Sequence, residues 1–63
     1  MNIVKEPNKV FFHQLTDHFP TLEHLKSYIA PFKQYRETSR AVIVNNKEGF
    51  AIYTDGTQLR EVV

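Results

Sequence analysis

The fold is decided by residues 40–63, which read RAVIVNNKEGFAIYTDGTQLREVV. Apolar and β-branched residues gather there in three short runs, and the residues between the runs are typical of turns. We predict strands over residues 40–44, 50–54 and 57–62, with a longer loop at 45–49 and a two-residue hairpin turn at Asp55-Gly56. Three such strands in succession favour an antiparallel β-meander.

Turn lengths also predict the strand register. A loop at 45–49 pairs Val44 with Phe50 and therefore Val42 with Ile52. Side chains on a strand alternate between the two faces of a sheet, so the register decides which residues cover the core. The predicted core face holds Val42, Val44, Phe50, Ile52 and Leu59.

The opposite face of the predicted sheet is more apolar than a solvated face should be. Its members include Ile43, Tyr53 and Val62, with Gln58 and Arg60 as a polar rim. One interpretation is that the N-terminal Ile3-Val4 segment covers this face within the chain. The other, which we take as the working hypothesis, is that a second copy or a partner protein covers it.

The residues before the meander have helical spacing. Asn8 is a suitable cap for a first helix that ends at Pro20, and Thr21 is a suitable cap for a second helix that ends near Pro31. Each predicted helix carries one apolar stripe. The stripes are Phe11, Phe12, Leu15 and Phe19 in the first helix, and Leu22, Leu25 and Ile29 in the second.

These elements predict an α+β domain in which two short N-terminal helices pack on one face of a three-stranded antiparallel β-meander. Residues 1–7 are expected to be an N-terminal arm or short strand, 8–31 the helix pair, 32–39 a basic linker and 40–63 the meander. At 63 residues this is a single small domain, which buries a modest fraction of its surface.

Composition limits what can stabilise so small a domain. The chain has no cysteine, which excludes disulfides and thiolate metal sites, so a compact core, self-association or a partner must supply the stability. No apolar run approaches the roughly 20 residues that span a bilayer. The N-terminus lacks the features of a secretory signal, and we expect a cytoplasmic protein.

Catalytic and metal-binding chemistry finds little support in the residues. His13 and Asp17 are spaced to share a helix face, but zinc needs three or four converging ligands. The two glycines, Gly49 and Gly56, fall in turns and form no phosphate-binding loop. The serines lack the context of an activated nucleophile. We expect no enzyme activity, no metal site and no cofactor.

Two binding functions remain. The leading hypothesis is a non-enzymatic protein-interaction module, either a homodimer or an adaptor or inhibitor of a larger protein, that uses the apolar sheet face, with Tyr53 as anchor, and the edge strands. The alternative is a nucleic-acid-binding regulator, because residues 26–40 interleave cations with aromatic rings. Its candidate contacts are Lys26, Lys33, Tyr35, Arg36 and Arg40.

Overall fold

A computed structural model describes residues 2–32, 35 and 40–56 of the chain. In chain order these residues form β1 (Ile3–Val4), β2 (His13–Gln14), α1 (Leu22–Ile29), β3 (Ala41–Asn46) and β4 (Gly49–Thr54). The strands make one four-stranded sheet in the order β1-β3-β4-β2. β1 runs parallel to β3, whereas β3 with β4 and β4 with β2 are antiparallel. The prediction of two helices on a three-stranded antiparallel meander is therefore wrong, although the α+β content is confirmed.

The connection between β3 and β4 is shorter than predicted. Asn46 pairs with Gly49, so only Lys47 and Glu48 lie between the strands, and the expected five-residue loop is wrong. The Asn46 side-chain oxygen accepts a 2.9 Å hydrogen bond from the Glu48 amide. Gly49 follows with φ of 120°, a value that glycine adopts without steric penalty and other residues rarely do. These features let the chain reverse direction within the turn.

The shorter turn moves the strand register by one residue. Ile43 faces Ile52, and Val44 faces Ala51, in place of the predicted pairs of Val42 with Ile52 and Val44 with Phe50. Because the side-chain period of a strand is two, this shift transfers the whole apolar set of β3 to the other face. The predicted composition of both sheet faces is therefore wrong.

Both faces of the sheet are buried. The helix-side cluster contains Leu25, Ile29, Ala41, Ile43 and Ile52, with Phe19, Leu22, Tyr35 and Phe50 packed against it. The opposite cluster contains Val42, Val44, Ala51 and Tyr53, with Val4 and Phe11 packed against it. Unbroken apolar runs such as AVIV in β3 are typical of strands covered on both faces.

The second predicted helix is confirmed as α1. Thr21 has an extended backbone, with φ of −137° and ψ of 158°, and its side-chain oxygen accepts a 3.2 Å hydrogen bond from the His24 amide. This is the N-cap arrangement that satisfies an otherwise unpaired amide of the first turn. Leu25 and Ile29 are buried against the sheet. No helix within the described ranges is long and apolar enough to cross a bilayer.

The first predicted helix, over residues 8–19, is wrong. The Asn8 side chain accepts hydrogen bonds from the amides of Val10 and Phe11, as a helix cap would, but no helix follows. Instead the chain extends along β4 as β2 and then continues to Phe19, which pairs with Phe50. Extended pairing satisfies the β4 backbone, and it places Phe11 and Phe19 in different clusters rather than on one stripe.

The edge of β4 that the prediction gave to residues 57–62 is occupied by β2 and the residues that follow it. The predicted pairing of β4 with a third meander strand is therefore wrong, and residues 57–63 themselves lie outside the described part of the chain. Gly56 has φ of 94°, but no described non-glycine residue, Asp55 included, has a positive φ. The type I′ turn expected at Asp55-Gly56 does not form, since it needs positive φ at both positions.

Candidate functional site

The predicted interaction face is divided by the observed register. Ile43 is 4% exposed in the helix-side cluster, and Tyr53 is 9% exposed in the opposite cluster, so they do not share a face. Val4 and Phe11 pack over the Tyr53 side of the sheet. Part of the N-terminal segment thus covers this face within the chain. The other candidates on that face, Gln58, Arg60 and Val62, lie outside the described residues.

Tyr53 makes a polar contact that fits a buried aromatic residue. Its hydroxyl donates a 3.3 Å hydrogen bond to the Gln14 side-chain oxygen on β2. The ring is packed in the core while the hydroxyl reaches the sheet edge, which is how buried tyrosines usually satisfy their polar group. In the described structure, Tyr53 links β4 to β2.

The candidate nucleic-acid contacts are partly described. Lys26 and Arg40 are exposed, Tyr35 is half-buried, and Lys33 and Arg36 lie outside the described ranges. The Tyr35 ring meets Phe32 edge-on, with ring centroids 5.6 Å apart. Burial raises the pKa of the Tyr35 hydroxyl, and the charge of nearby Tyr28 raises it further. Tyr35 therefore belongs mainly to the helix-side core.

The candidate metal pair does not gain further ligands. In the part of the chain that the structure describes, no three histidine, aspartate or glutamate side chains converge on a common point. The His13 ring packs instead against Phe12, with ring centroids 4.1 Å apart. A shallow open depression between the end of β1 and the β3–β4 turn is lined by charged and polar groups. These are Lys5, Glu6, Asn45, Asn46, Lys47 and Glu48.

The outer edge of β2 is the most distinctive surface in the described structure. The Leu15 amide donates a 2.7 Å hydrogen bond to the Ile52 carbonyl. Residues of an antiparallel strand alternate between bonding their neighbour and pointing away from it. Gln14, adjacent to Leu15 and paired with Tyr53, is therefore the position whose backbone N–H and C=O point away from β4. No other strand in the described part of the chain pairs with these groups, and they form the polar rim of this sheet edge.

Apolar side chains are concentrated around this edge. Val10 and Phe12 are each 57% exposed and Leu15 is 40% exposed, all within six residues that include β2. Two other large apolar side chains in the described ranges are exposed, Ile3 on β1 and Tyr28 on α1, and neither belongs to such a group. We call the outward backbone of Gln14 with the side chains of Val10, Phe12 and Leu15 the β2 edge surface.

Thr16 fixes the β2 edge surface to the sheet. Its side-chain oxygen accepts a 3.1 Å hydrogen bond from the Ile52 amide and donates a 2.9 Å hydrogen bond to the Asp17 carbonyl. The hydroxyl thus takes the place of a backbone acceptor at the point where regular pairing of β2 ends. The Gln14 side-chain amide in turn donates a 2.6 Å hydrogen bond to the Thr16 carbonyl. This network holds the carboxyl-terminal end of the β2 edge surface in position.

Two further contacts anchor the segment that leaves β2. Phe19 and Phe50 exchange backbone hydrogen bonds of 2.7 and 2.9 Å. The His18 Nε2 lies 3.3 Å from a Glu48 carboxylate oxygen, close enough for an ion pair when the imidazole is protonated, but without the geometry of a hydrogen bond. The segment is therefore fastened to the β3–β4 turn mainly through its backbone.

The β2 edge surface was missed because Phe12 and Leu15 were assigned to a buried helix stripe. The structure shows β4 as a central strand, with Ala51 to Thr54 buried and a neighbour on each side. The predicted meander already gave this strand two neighbours, residues 40–44 and 57–62. The sequence therefore offered no signal that the residues before α1 take the second position.

Comparisons with known proteins identify no relative. No protein-family model matches the chain. No curated protein and no solved structure matches it either. The function is therefore argued from the described geometry alone.

Proposed function

We propose that this chain is a small, non-enzymatic protein-interaction module that contacts its partner through the β2 edge surface. The observation that carries the proposal is the concentration of exposed apolar side chains, Val10, Phe12 and Leu15, around a strand with outward-pointing backbone groups. Exposed apolar groups that rim an unpaired sheet edge are typical of protein-binding sites. The sequence predicted contact through the back face of the sheet and its edge strands, and the present proposal keeps an edge strand, now β2, and gives up the back face.

Phe12 is the side chain at this surface that offers a large apolar contact to a partner. Phe12 exposes 57% of its surface, roughly 100 Å², so its burial by a partner would contribute about 2–3 kcal/mol. Aromatic residues often dominate the energy of an interface. Phe12 therefore replaces Tyr53 as the proposed anchor. Tyr53 is needed for the fold, since it is packed in the core and bonded to Gln14.

The test compares two double variants that remove similar exposed apolar area. One is Phe12→Ser with Leu15→Ser in the β2 edge surface, and the matched control is Ile3→Ser with Tyr28→Ser elsewhere. Light scattering after size exclusion measures self-association. Affinity capture with chemical crosslinking, in cells that express the chain naturally, measures complexes with other proteins. Melting temperatures check that both variants remain folded.

We expect the wild-type chain and the control variant to form the same complexes, and the edge variant to lose them. The physical reason is that serine removes the apolar area that a partner would bury. Because Leu15 is 40% exposed, its replacement also removes some packing within the chain, which the melting temperatures measure. The proposal would be wrong if the edge variant kept the complexes while the control lost them. It would also be wrong if the wild-type chain formed no complex by either measurement.

A further inference from the structure

The backbone groups and the side chains of the β2 edge surface together indicate what kind of ligand binds there. Gln14 directs both a donor and an acceptor away from β4, and among the described strands β2 is the last one on that side of the sheet. Such an edge pairs readily with another extended chain, which gains main-chain hydrogen bonds and places alternate side chains toward the host. We infer, resting on the proposed function, that the β2 edge surface binds a short extended peptide segment of another protein, which adds to the sheet as a strand.

The size of the surface favours a peptide over a second folded copy. Even if each of these side chains had the roughly 150–250 Å² of an aromatic residue, the exposed fractions of 57%, 57% and 40% would leave at most roughly 400 Å² of apolar surface. A stable interface between two folded proteins buries about 800 Å² on each partner, of which roughly 56–65% is apolar. The remaining apolar residues of the two core clusters cannot add to this area, because they are already buried within the chain. A peptide strand needs less area, since backbone hydrogen bonds supply much of its affinity.

The same geometry defines the chemistry of the peptide. One peptide residue forms the backbone pair with Gln14. The peptide residues on either side of it lie beside Phe12 and Leu15, so they should be apolar, with β-branched or aromatic side chains that favour an extended backbone. Proline is excluded at the position that bonds Gln14, because it has no amide hydrogen and cannot complete the pair. The inferred ligand is an apolar, strand-forming segment of about five to seven residues.

The decisive variant is Gln14→Pro, with Gln14→Ala as its control. Proline removes the outward N–H of residue 14, and it removes no bond of the β2–β4 ladder because that N–H does not face β4. Both variants lose the side-chain bond to Tyr53. Their difference therefore isolates the outward backbone donor.

The probe is a library of random heptapeptides displayed on phage and selected against the immobilised wild-type chain. Selected peptides are then synthesised, and their affinity for both variants is measured by fluorescence anisotropy. We expect Gln14→Pro to bind at least tenfold more weakly than Gln14→Ala, because both variants lose the same side-chain bonds of Gln14 and only proline removes the outward N–H. The loss of one hydrogen bond between uncharged backbone groups accounts for a loss of affinity of about this size.

A second measurement guards against a folding defect in Gln14→Pro. Each amide of a selected peptide is methylated in turn, which removes peptide donors while the chain stays wild type. Strand addition predicts that methylation weakens binding most at one position, the peptide amide that donates to the Gln14 carbonyl, because Gln14 is the residue of β2 whose backbone groups point outward. Uniform sensitivity along the peptide, or none, would overturn the inference.

The remaining outcomes separate the inference from the proposed function. Peptides that bind Gln14→Pro as well as Gln14→Ala, but not the Phe12→Ser and Leu15→Ser variant, would overturn strand addition and leave the interaction surface in place. A dimer that is lost in the same double variant would replace the peptide with a second copy. Failure to select any peptide would overturn the inference, and binding unaffected by either set of variants would overturn both.

Discussion

At the scale of single residues, Thr16 shows how one side chain can decide the end of a strand. Backbone bonding at the end of β2 is one-sided: the Leu15 amide donates to the Ile52 carbonyl, but Ile52 is fully buried and its own amide still needs an acceptor. The Thr16 hydroxyl is that acceptor. The sequence around Thr16 does not predict this role, because the amide that it bonds is 36 residues away.

Thr16→Val should destabilise the chain by about 1–3 kcal/mol, since valine keeps the shape of threonine but leaves the buried Ile52 amide without an acceptor. Urea unfolding measures the change. The matched control is Thr54→Val, because the Thr54 hydroxyl bonds the amide of Gly56, an exposed residue whose N–H water can satisfy. Equal losses in the two variants would contradict this account of Thr16.

At the scale of secondary-structure elements, the sequence correctly predicted the helix, which is held together by contacts between residues close in the chain. Thr21 as cap and the stripe of Leu25 and Ile29 predicted α1 correctly, because a helix of eight residues is closed by bonds between near neighbours. Asn8 shows the limit of that reasoning. Its side chain accepts hydrogen bonds from two following amides, as in a helix cap. The competing extended pairing joins β2 to β4, about 40 positions later in the chain, so the sequence near Asn8 does not indicate it.

The predicted register of the β3–β4 hairpin depended on one assumption, the length of the loop between the two strands. Asparagines at positions 45 and 46 are typical of loops, but both lie in β3, and the turn shortens to Lys47-Glu48. A one-residue shift then exchanged the faces of β3 and placed Ile43 apart from Tyr53. The candidate site failed for the same reason, since it was defined by a shared face. The β2 edge surface needed knowledge of which segment lies beside β4.

Gly49 is the residue on which the hairpin and its neighbouring segment both depend. A Cβ at this position would lie 2.5 Å from the backbone carbonyl oxygen of Phe19, and its φ of 120° is strained for any other residue. We expect Gly49→Ala to cost at least about 2 kcal/mol, because neither the backbone angle nor the Phe19 carbonyl can adjust cheaply. Urea unfolding gives the loss, and hydrogen exchange at the amides of Phe19 and Phe50 should become faster.

Gly56→Ala is the control for this prediction. Gly56 also has a positive φ of 94°, but a Cβ there would meet the His13 ring at 3.0 Å, and an exposed side chain can move aside. The cost should be clearly smaller than at Gly49, and exchange at Phe19 should stay slow. If the two alanine variants were equally destabilised, φ alone would explain the loss and the close approach of Phe19 would be irrelevant.

At the scale of the whole molecule, the described residues of this 63-residue chain bury both faces of one sheet. A helix covers one face, and Val4 and Phe11 cover the other. The large apolar side chains that stay exposed in the described ranges are Ile3, Tyr28 and those of the β2 edge surface. Proteins of this size are marginally stable, and a change at one partly buried group therefore alters the stability of the entire chain. Tyr35 lies at the periphery of the helix-side cluster. Its pKa shift has a definite direction, which predicts how the stability of the chain changes with pH.

Burial first, and then the charge of Tyr28, raises the pKa of Tyr35 in the folded chain above its usual value of 10.0. The folded state therefore holds this proton more tightly than the unfolded state does. By linkage, the resulting stability is fully present below about pH 10 and is lost as the pH rises through the folded pKa. Urea unfolding at pH 8 and at pH 11 should show a smaller alkaline loss in Tyr35→Phe than in wild type. Tyr28→Phe, which removes the second cause and leaves Tyr35 buried, should fall between them. An alkaline loss in Tyr35→Phe equal to that of wild type would show that Tyr35 ionises as easily in the folded chain as in the unfolded one.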